Sequence, residues 1–447
     1  EVNDDISVAG NVAEETDWGN KGLSLKWAKQ WSPRVYTRFL VAGTEYFSEY
    51  NRNSALDITV PEQNETLFSF RGTTYEDNRV EDLKATMDVE WLVSPEHKIS
   101  TGISYTRSKV DYRNIRDQET TVLQREQESG YASIYISDQW TPIHKLDIEA
   151  GIRASKYELT NAYLFSPRFS FNYNITEGIQ IKGGYGRHYQ FVNRIINDNI
   201  TEGSRDFWLL ANGKDVKISN ATHYIGGASY ENRGWLFNVE AYYKDLENIS
   251  EFSLRFRRGA EFVANELFFT GDGIAKGVEF LLQKKQGDYT GWASYTLGSV
   301  RNTFPGLNDG EEFPALHDQR HEYKMVHNYK VDDWNFSATF IFGSGKPFSE
   351  PAGQYSVELL NGDSLGFVDI GTKNGSRLPA YHRLDVSAHY KFTLSERIKA
   401  DLGASIFNLY NRSNVWYYEY DFNQSPVLVT AIEHLGLTPN LSFTIQF

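Results

Sequence analysis

Few residues in this chain stand in the arrangements that bond-making chemistry requires. His317-Asp-Gln-Arg-His321 sets two imidazoles at i and i+4 on one strand face. No third ligand is near in sequence, and His321-Glu322 lacks the second histidine of the zincin spacing, so no metal site is expected. The pairs Asp88/Glu90 and Asp147/Glu149 are spaced as an acid and base could be. They read better as polar rows of a lumen-facing wall, paired with Lys and Arg of neighbouring strands. Gly183-Gly-Tyr-Gly186 resembles a phosphate loop but lies inside a strand, where glycine lets the strand bend. No Ser-His-Asp set stands out, and the absence of cysteine excludes thiolate nucleophiles and thiolate metal sites. The expectation is no catalytic residue, no cofactor and no enzymatic activity.

Binding chemistry is better represented. The stretch after Gln190 carries Arg194, Arg205, Asp206, Phe207 and Trp208; Trp416, Tyr417, Tyr418 and Tyr420 lie high on the penultimate strand; Arg255, Arg257 and Arg258 form a cationic group. Aromatic side chains and arginine supply most interface energy. Arg205, Phe207, Trp208, Arg257, Trp416 and Tyr418 are therefore the expected ligand- or partner-binding residues. The competing reading for each is loop-on-loop packing.

The elements that must hold these residues have a period of two. Leu384, Val386, Ala388, Tyr390 and Phe392 alternate with Arg383, Asp385, Ser387, His389 and Lys391, and the pattern recurs along 398–406, 83–91, 146–153 and 335–342. That alternation is a half-buried strand, and no helical stripe competes with it. Tight turns recur at Ser32-Pro-Arg, Ser94-Pro-Glu-His, Thr141-Pro-Ile-His, Asn174-Ile-Thr-Glu-Gly, Glu231-Asn-Arg-Gly, Gln286-Gly-Asp, Val331-Asp-Asp and Leu394-Ser-Glu, which makes eight hairpins. The other strand ends connect through long polar stretches at roughly 48–78, 107–127, 191–219, 248–271, 304–316, 348–377 and 411–426. Tight turns at one rim and long loops at the other are the asymmetry of a transmembrane antiparallel β-barrel in a bacterial outer membrane.

Composition agrees. With 28 Phe, 28 Tyr and 10 Trp in 447 residues, aromatics exceed what an ordinary core needs, and no run of 18 apolar residues offers a transmembrane helix. A net charge of −14 argues against a nucleic-acid partner. Trp31, Trp91, Trp140, Trp235, Trp292 and Trp334 each fall near a tight turn, as an indole girdle at the lipid headgroups would. Outer-membrane lipid is thus the first expected partner.

Eight hairpins give sixteen strands, and 427–447 adds a seventeenth. Bacterial barrels close with an even number and both termini in the periplasm. Here the first strand runs towards a tight turn, so an odd number of strands is expected to precede residue 1. Glu1-Val-Asn-Asp carries no signal peptide, so either it was removed or the chain begins inside a longer precursor. Residues 1–447 are read as one barrel domain, incomplete on its N-terminal side.

The segments "PRFSFNYNITEGIQIKGGYGRHYQ" from Pro167, "GIAKGVEFLLQKKQGDYTGWASYTLGS" from Gly273, "HDQRHEYKM" from His317, "LPAYHRLDVSAHYKF" from Leu378, "IFNLYNRSNVWYYEYDF" from Ile406 and the terminal "TPNLSFTIQF" resemble the barrel of TonB-dependent outer-membrane transporters, particularly those of Bacteroidota. The resemblance implies a 22-stranded barrel with a plugged lumen, hence about five strands and the plug upstream. No plug and no TonB-contacting box are recognisable here, so contact with the TonB system would run through that missing plug. It further implies import of a scarce nutrient: a siderophore, vitamin, glycan or peptide. The alternative is a structural or accessory subunit of a larger outer-membrane assembly, docking a surface lipoprotein or other subunits. Phe443 and Phe447, on a final strand with Leu441 and Ile445, resemble a C-terminal barrel-insertion signal.

Overall fold

The computed structural model describes residues 7–60, 65–117, 120–197, 205–252, 268–358, 364–395, 397–421 and 427–447. Apart from one 3-10 turn at Asn308–Gly310, every regular element among them is a strand. Seventeen strands build the wall. The first eight are β1 (Ser7–Ser32), β2 (Val35–Val60), β3 (Glu65–Leu92), β4 (His97–Arg116), β5 (Thr120–Ile143), β6 (Leu146–Tyr157), β7 (Ala162–Asn174) and β8 (Ile179–Gln190). They continue as β9 (Ser219–Asn232), β10 (Trp235–Phe252), β11 (Phe268–Lys284), β12 (Tyr289–Thr303), β13 (His321–Val331), β14 (Trp334–Gly343), β15 (Tyr381–Ser395), β16 (Ile398–Phe407) and β17 (Thr438–Gln446). Each pairs antiparallel with the next. Among the described residues no ladder joins β17 to β1, so the sheet is open between them.

Register turns the sequence alternation into two faces. Trp27 lies opposite Phe39, and the row continues through Met87, Ile103, Ile134, Ala154 and Phe165. These aromatics and larger aliphatics are exposed, so the outer face of β1–β7 carries an apolar band of the kind that faces lipid. On β4 the band ends between Tyr105 and Arg107: from there the outer face carries the ion pairs Arg107–Glu128 and Lys109–Glu126. His97, opposite Trp140 at the turn rim, lies eight residue steps from Tyr105, roughly 26 Å along the strand and about 20 Å in height once the strand is tilted. On the inner face Asp88 pairs with Arg38 at 2.7 Å and accepts the Tyr135 hydroxyl at 2.8 Å. Glu90 lies 3.8 Å from Lys98. The expected pairing with Lys and Arg thus holds for Asp88 and Glu90, whereas Asp147 accepts the Thr141 hydroxyl at 2.7 Å and no ion pair within 4.0 Å involves Asp147 or Glu149 among the described residues.

Three sequence expectations need correction. The described residues of 48–78 and 107–127 are not loops: the β2–β3 ladder runs on to Val60 and Glu65, and the β4–β5 ladder to Arg116 and Thr120, above the band. A ladder out of lipid is polar on both faces, so its composition is that of a loop. Trp292 lies opposite Gln283 and Val326, on the inner face, so it is out of phase with the other five tryptophans. The final wall strand begins at Thr438, because Leu428–Glu433 pairs with a loop segment.

The Gly183 motif does sit inside β8, where it makes room for an aromatic. A Cβ on Gly183 would collide with the Phe171 ring, whereas a Cβ on Gly226, directly opposite, would meet nothing within 4 Å. Gly183→Val is expected to destabilise the barrel by about 1–3 kcal/mol through overpacking, while Gly226→Ala leaves it unchanged. Urea unfolding midpoints in detergent check this, and equal midpoints for the two variants would contradict it.

Candidate functional site

Above the apolar band, the inner faces of β3, β4 and β5 present Asn78, Val80, Val110, Tyr112, Asn114 and Leu123. The chain between β8 and β9 folds back onto this surface as a short hairpin, Val192–Asn197 against Arg205–Leu210. Phe207 stacks on Tyr112, with centroids 4.1 Å apart and planes at 10°, and meets Phe252 edge-on at 5.3 Å. Ile195, Leu209, Leu210, Val216 and Phe268 complete a buried cluster, with Trp208 packed at its margin. Each such side chain contributes roughly 1.5–3 kcal/mol by leaving water. Polar contacts set the register: Asn78 Oδ1 accepts the Trp208 backbone N–H at 2.9 Å, and Arg194 pairs with Asp206. Asn212 Oδ1 accepts the N–H groups of Lys214, Asp215 and Val216, and Arg125 on β5 reaches Asp215 at 3.4 Å. The result is a firm ledge over the lumen.

A second tie joins the loops after β12 and β14. The Asp318 side chain is 2% exposed; it accepts the Val300 N–H at 2.7 Å and pairs with Arg377, which also donates to Gly345 O at 2.9 Å. Gly345 has no alternative, since a Cβ there would run into the Leu378 carbonyl. Asn308 and Lys373 exchange side-chain-to-backbone hydrogen bonds at 3.1 and 2.9 Å, and the Lys373 ammonium lies 3.4 Å from Glu251 on β10.

The third group is the aromatic set at 416–420. It lies on a separate hairpin, Val415–Asp421 against Leu428–Glu433, rather than on the penultimate wall strand, so it is a loop element. Trp416 is 60% exposed and stacks on His434, with centroids 5.6 Å apart; Tyr418 packs on Phe348 at 5.5 Å. Burial, then the Glu350 carboxylate, push the Tyr420 hydroxyl above its ordinary range, so it remains a neutral donor at physiological pH.

The residues expected to bind therefore separate. Phe207 is buried at 1% exposure and holds the ledge to the wall, so it has no surface to offer a ligand. Trp208 is half-buried beside it, Trp416 and Tyr418 sit on the other hairpin, and Arg205 opens the second ledge strand opposite Asn197. Arg257 lies outside the described residues. His317 sits in a turn while His321 begins β13, so the two do not share a strand face. Trp31, Trp91, Trp140, Trp235 and Trp334 are exposed next to tight turns, and Phe443 and Phe447 are exposed at the final strand. Sequence reasoning missed Asn78 and Tyr112, whose signal was the period-two alternation continuing above the band.

An open-edged antiparallel wall with an apolar belt outside, charge pairs inside and loops folded over its lumen is an outer-membrane barrel. The chain belongs to the family described as TonB dependent receptor-like, beta-barrel, whose model matches residues 3–409. No relative was found among curated protein sequences. Among solved structures, the ferric-catecholate import receptor Fiu of Escherichia coli K12 is similar at a TM-score of 0.62 and 12% identity, covering 97% of this chain and 64% of that one. BauA, the ferric preacinetobactin receptor of Acinetobacter baumannii, gives 0.60 and 13%, with 98% and 64% covered. The ferripyoverdine receptor of the Pseudomonas aeruginosa outer membrane gives 0.54 and 11%, with 98% and 67% covered. The chain thus spans about two thirds of the length of these receptors. At such identities the likeness is one of fold.

Proposed function

We propose that this chain is the wall and outer vestibule of an energised importer of a scarce nutrient, with a ferric siderophore as the leading substrate class. The observation that carries this reading is the ledge formed by Val192–Asn197 and Arg205–Leu210, packed on the inner face of β3–β5. A loop fixed over the lumen is a preorganised receptor surface, since loops held by a rigid wall carry recognition. The solved receptors of similar fold are described by the ferric siderophores they take up. Further strands would close the gap between β17 and β1, and a plug in the lumen would couple the barrel to the TonB system. Ligand contact falls to Arg205, Trp208, Trp416 and Tyr418, together with the Arg257 segment. Trp31, Trp91, Trp140, Trp235 and Trp334 anchor the turn rim in headgroups.

The test is uptake of radiolabelled ferric siderophores by iron-starved cells with and without the full-length protein. Uptake that requires the protein and stops when the proton gradient is collapsed is expected. Uptake indifferent to both would remove the reading.

The C-terminal residues give a separate expectation. Phe443 is exposed on the lipid side of β17, two steps from Leu441 and Ile445, and Phe447 ends the chain fully exposed. Deleting Phe447 should leave synthesis intact and lower the amount of folded barrel in the outer membrane several-fold. Unchanged outer-membrane levels by heat-modifiability on gels would rule out a signal role for it.

A further inference from the structure

On the inner face of β7–β10 the ladder places Arg168 opposite Gly186, Gly186 opposite His223 and His223 opposite Lys244. The His188 ring folds over Gly186, where a Cβ would stand 2.9 Å from its Nε2, and its centroid is 4.9 Å from that of His223. Gly186 is therefore what lets the two imidazoles lie side by side against the wall. Together with Arg153, Arg168 and Gly184 they line one concavity open to the lumen, with Glu149 as the acid at its edge. Among the described residues no carboxylate lies within 4.0 Å of Arg168 or Lys244; that sets them apart from Arg38 and Lys182, paired at 2.7 and 2.5 Å.

Two neighbouring imidazoles alone would suit a metal ion. Here the flanking guanidinium and ammonium oppose a cation and favour the opposite charge. Both imidazoles can donate, and arginine presents a planar fork that matches a carboxylate or phosphate. We propose that this cradle binds a small oxyanion group, a carboxylate or phosphate, presented from the lumen. The group has two possible sources: a free anion entering from outside, or a carboxylate side chain of polypeptide filling the lumen. The proposal depends on the wall alone and is read by binding and stability, not by uptake.

The test titrates inorganic phosphate and, separately, citrate into the full-length receptor in detergent by calorimetry, comparing wild type, R168K and R168Q/H223Q. A free-anion site gives saturable binding, largely retained by R168K and weakened about tenfold or more in R168Q/H223Q, as loss of a charge-assisted hydrogen bond implies. If neither anion binds, thermal unfolding of the same proteins decides. Removing a guanidinium and an imidazole donor that have no partner leaves the midpoint unchanged or raises it, whereas removing groups paired with a lumen carboxylate lowers it, with R168K near wild type. No anion binding together with an unchanged or raised midpoint in R168Q/H223Q overturns the proposal.

Discussion

Replacing Phe207 by alanine is expected to release the ledge strands Val192–Asn197 and Arg205–Leu210 from the wall while leaving the barrel in place. The ring is buried between Tyr112 and Phe252, and truncating such an aromatic costs about 3–5 kcal/mol. That is comparable to what holds a short hairpin, whereas the wall is held by continuous interstrand ladders on either side. Trypsin should then cut at Lys214 or Lys217 at least tenfold faster, and ligand binding should fall with unchanged barrel abundance. Phe169→Ala on the lipid-facing side of β7 is the control and should do neither. Unchanged proteolysis in F207A would mean that the ledge is held by its polar contacts, chiefly Asn78 and Asp215.

The second large effect concerns Asp318. Its carboxylate is buried, accepts a backbone N–H and faces Arg377, so Asp318→Ala strands both partners. Loss of one side of a buried pair costs about 3–5 kcal/mol; the partly exposed Arg377 recovers some hydration, which places the expectation at about 3 kcal/mol. Asp318→Asn keeps an acceptor for Val300 and should lose less. Amide exchange at Val300 reads this directly, with protection falling most in D318A and least in D318N. Equal loss in the two would show that the charge, rather than the backbone acceptor, holds the loop.

The wall was legible in the sequence because one physical rule governs it. Lipid outside and water inside force a period of two, so Leu384–Phe392 and Ile398–Ile406 declare themselves, and all eight tight turns fall between wall strands. The rule weakens where lipid ends. Above the band both faces of β2–β5 meet water or loops, so polar alternation looks like loop composition, and the hairpins at 48–78 and 107–127 were hidden. Loop packing was harder still. Nothing local to Phe207 distinguishes an aromatic that contacts a ligand from one that stacks on Tyr112, because the deciding partner lies 95 positions earlier in the chain. Trp292 shows the same limit on a smaller scale: proximity to a turn suggested the girdle, but phase along β12 put it on the other face.

In this arrangement the tight turns and the ledge lie on opposite sides of an outer membrane. Because these 447 residues contain no cysteine, each single substitution introduces the one thiol within them, and labelling is read against the same cells carrying the unsubstituted protein. Lys214→Cys, exposed beside the ledge, and Asp333→Cys, exposed in the β13–β14 turn, are to be treated in intact cells with a membrane-impermeant maleimide. Labelling of K214C in intact cells, with D333C labelled only after the outer membrane is opened, is the predicted result. Labelling of D333C in intact cells, or protection of K214C until lysis, would contradict it.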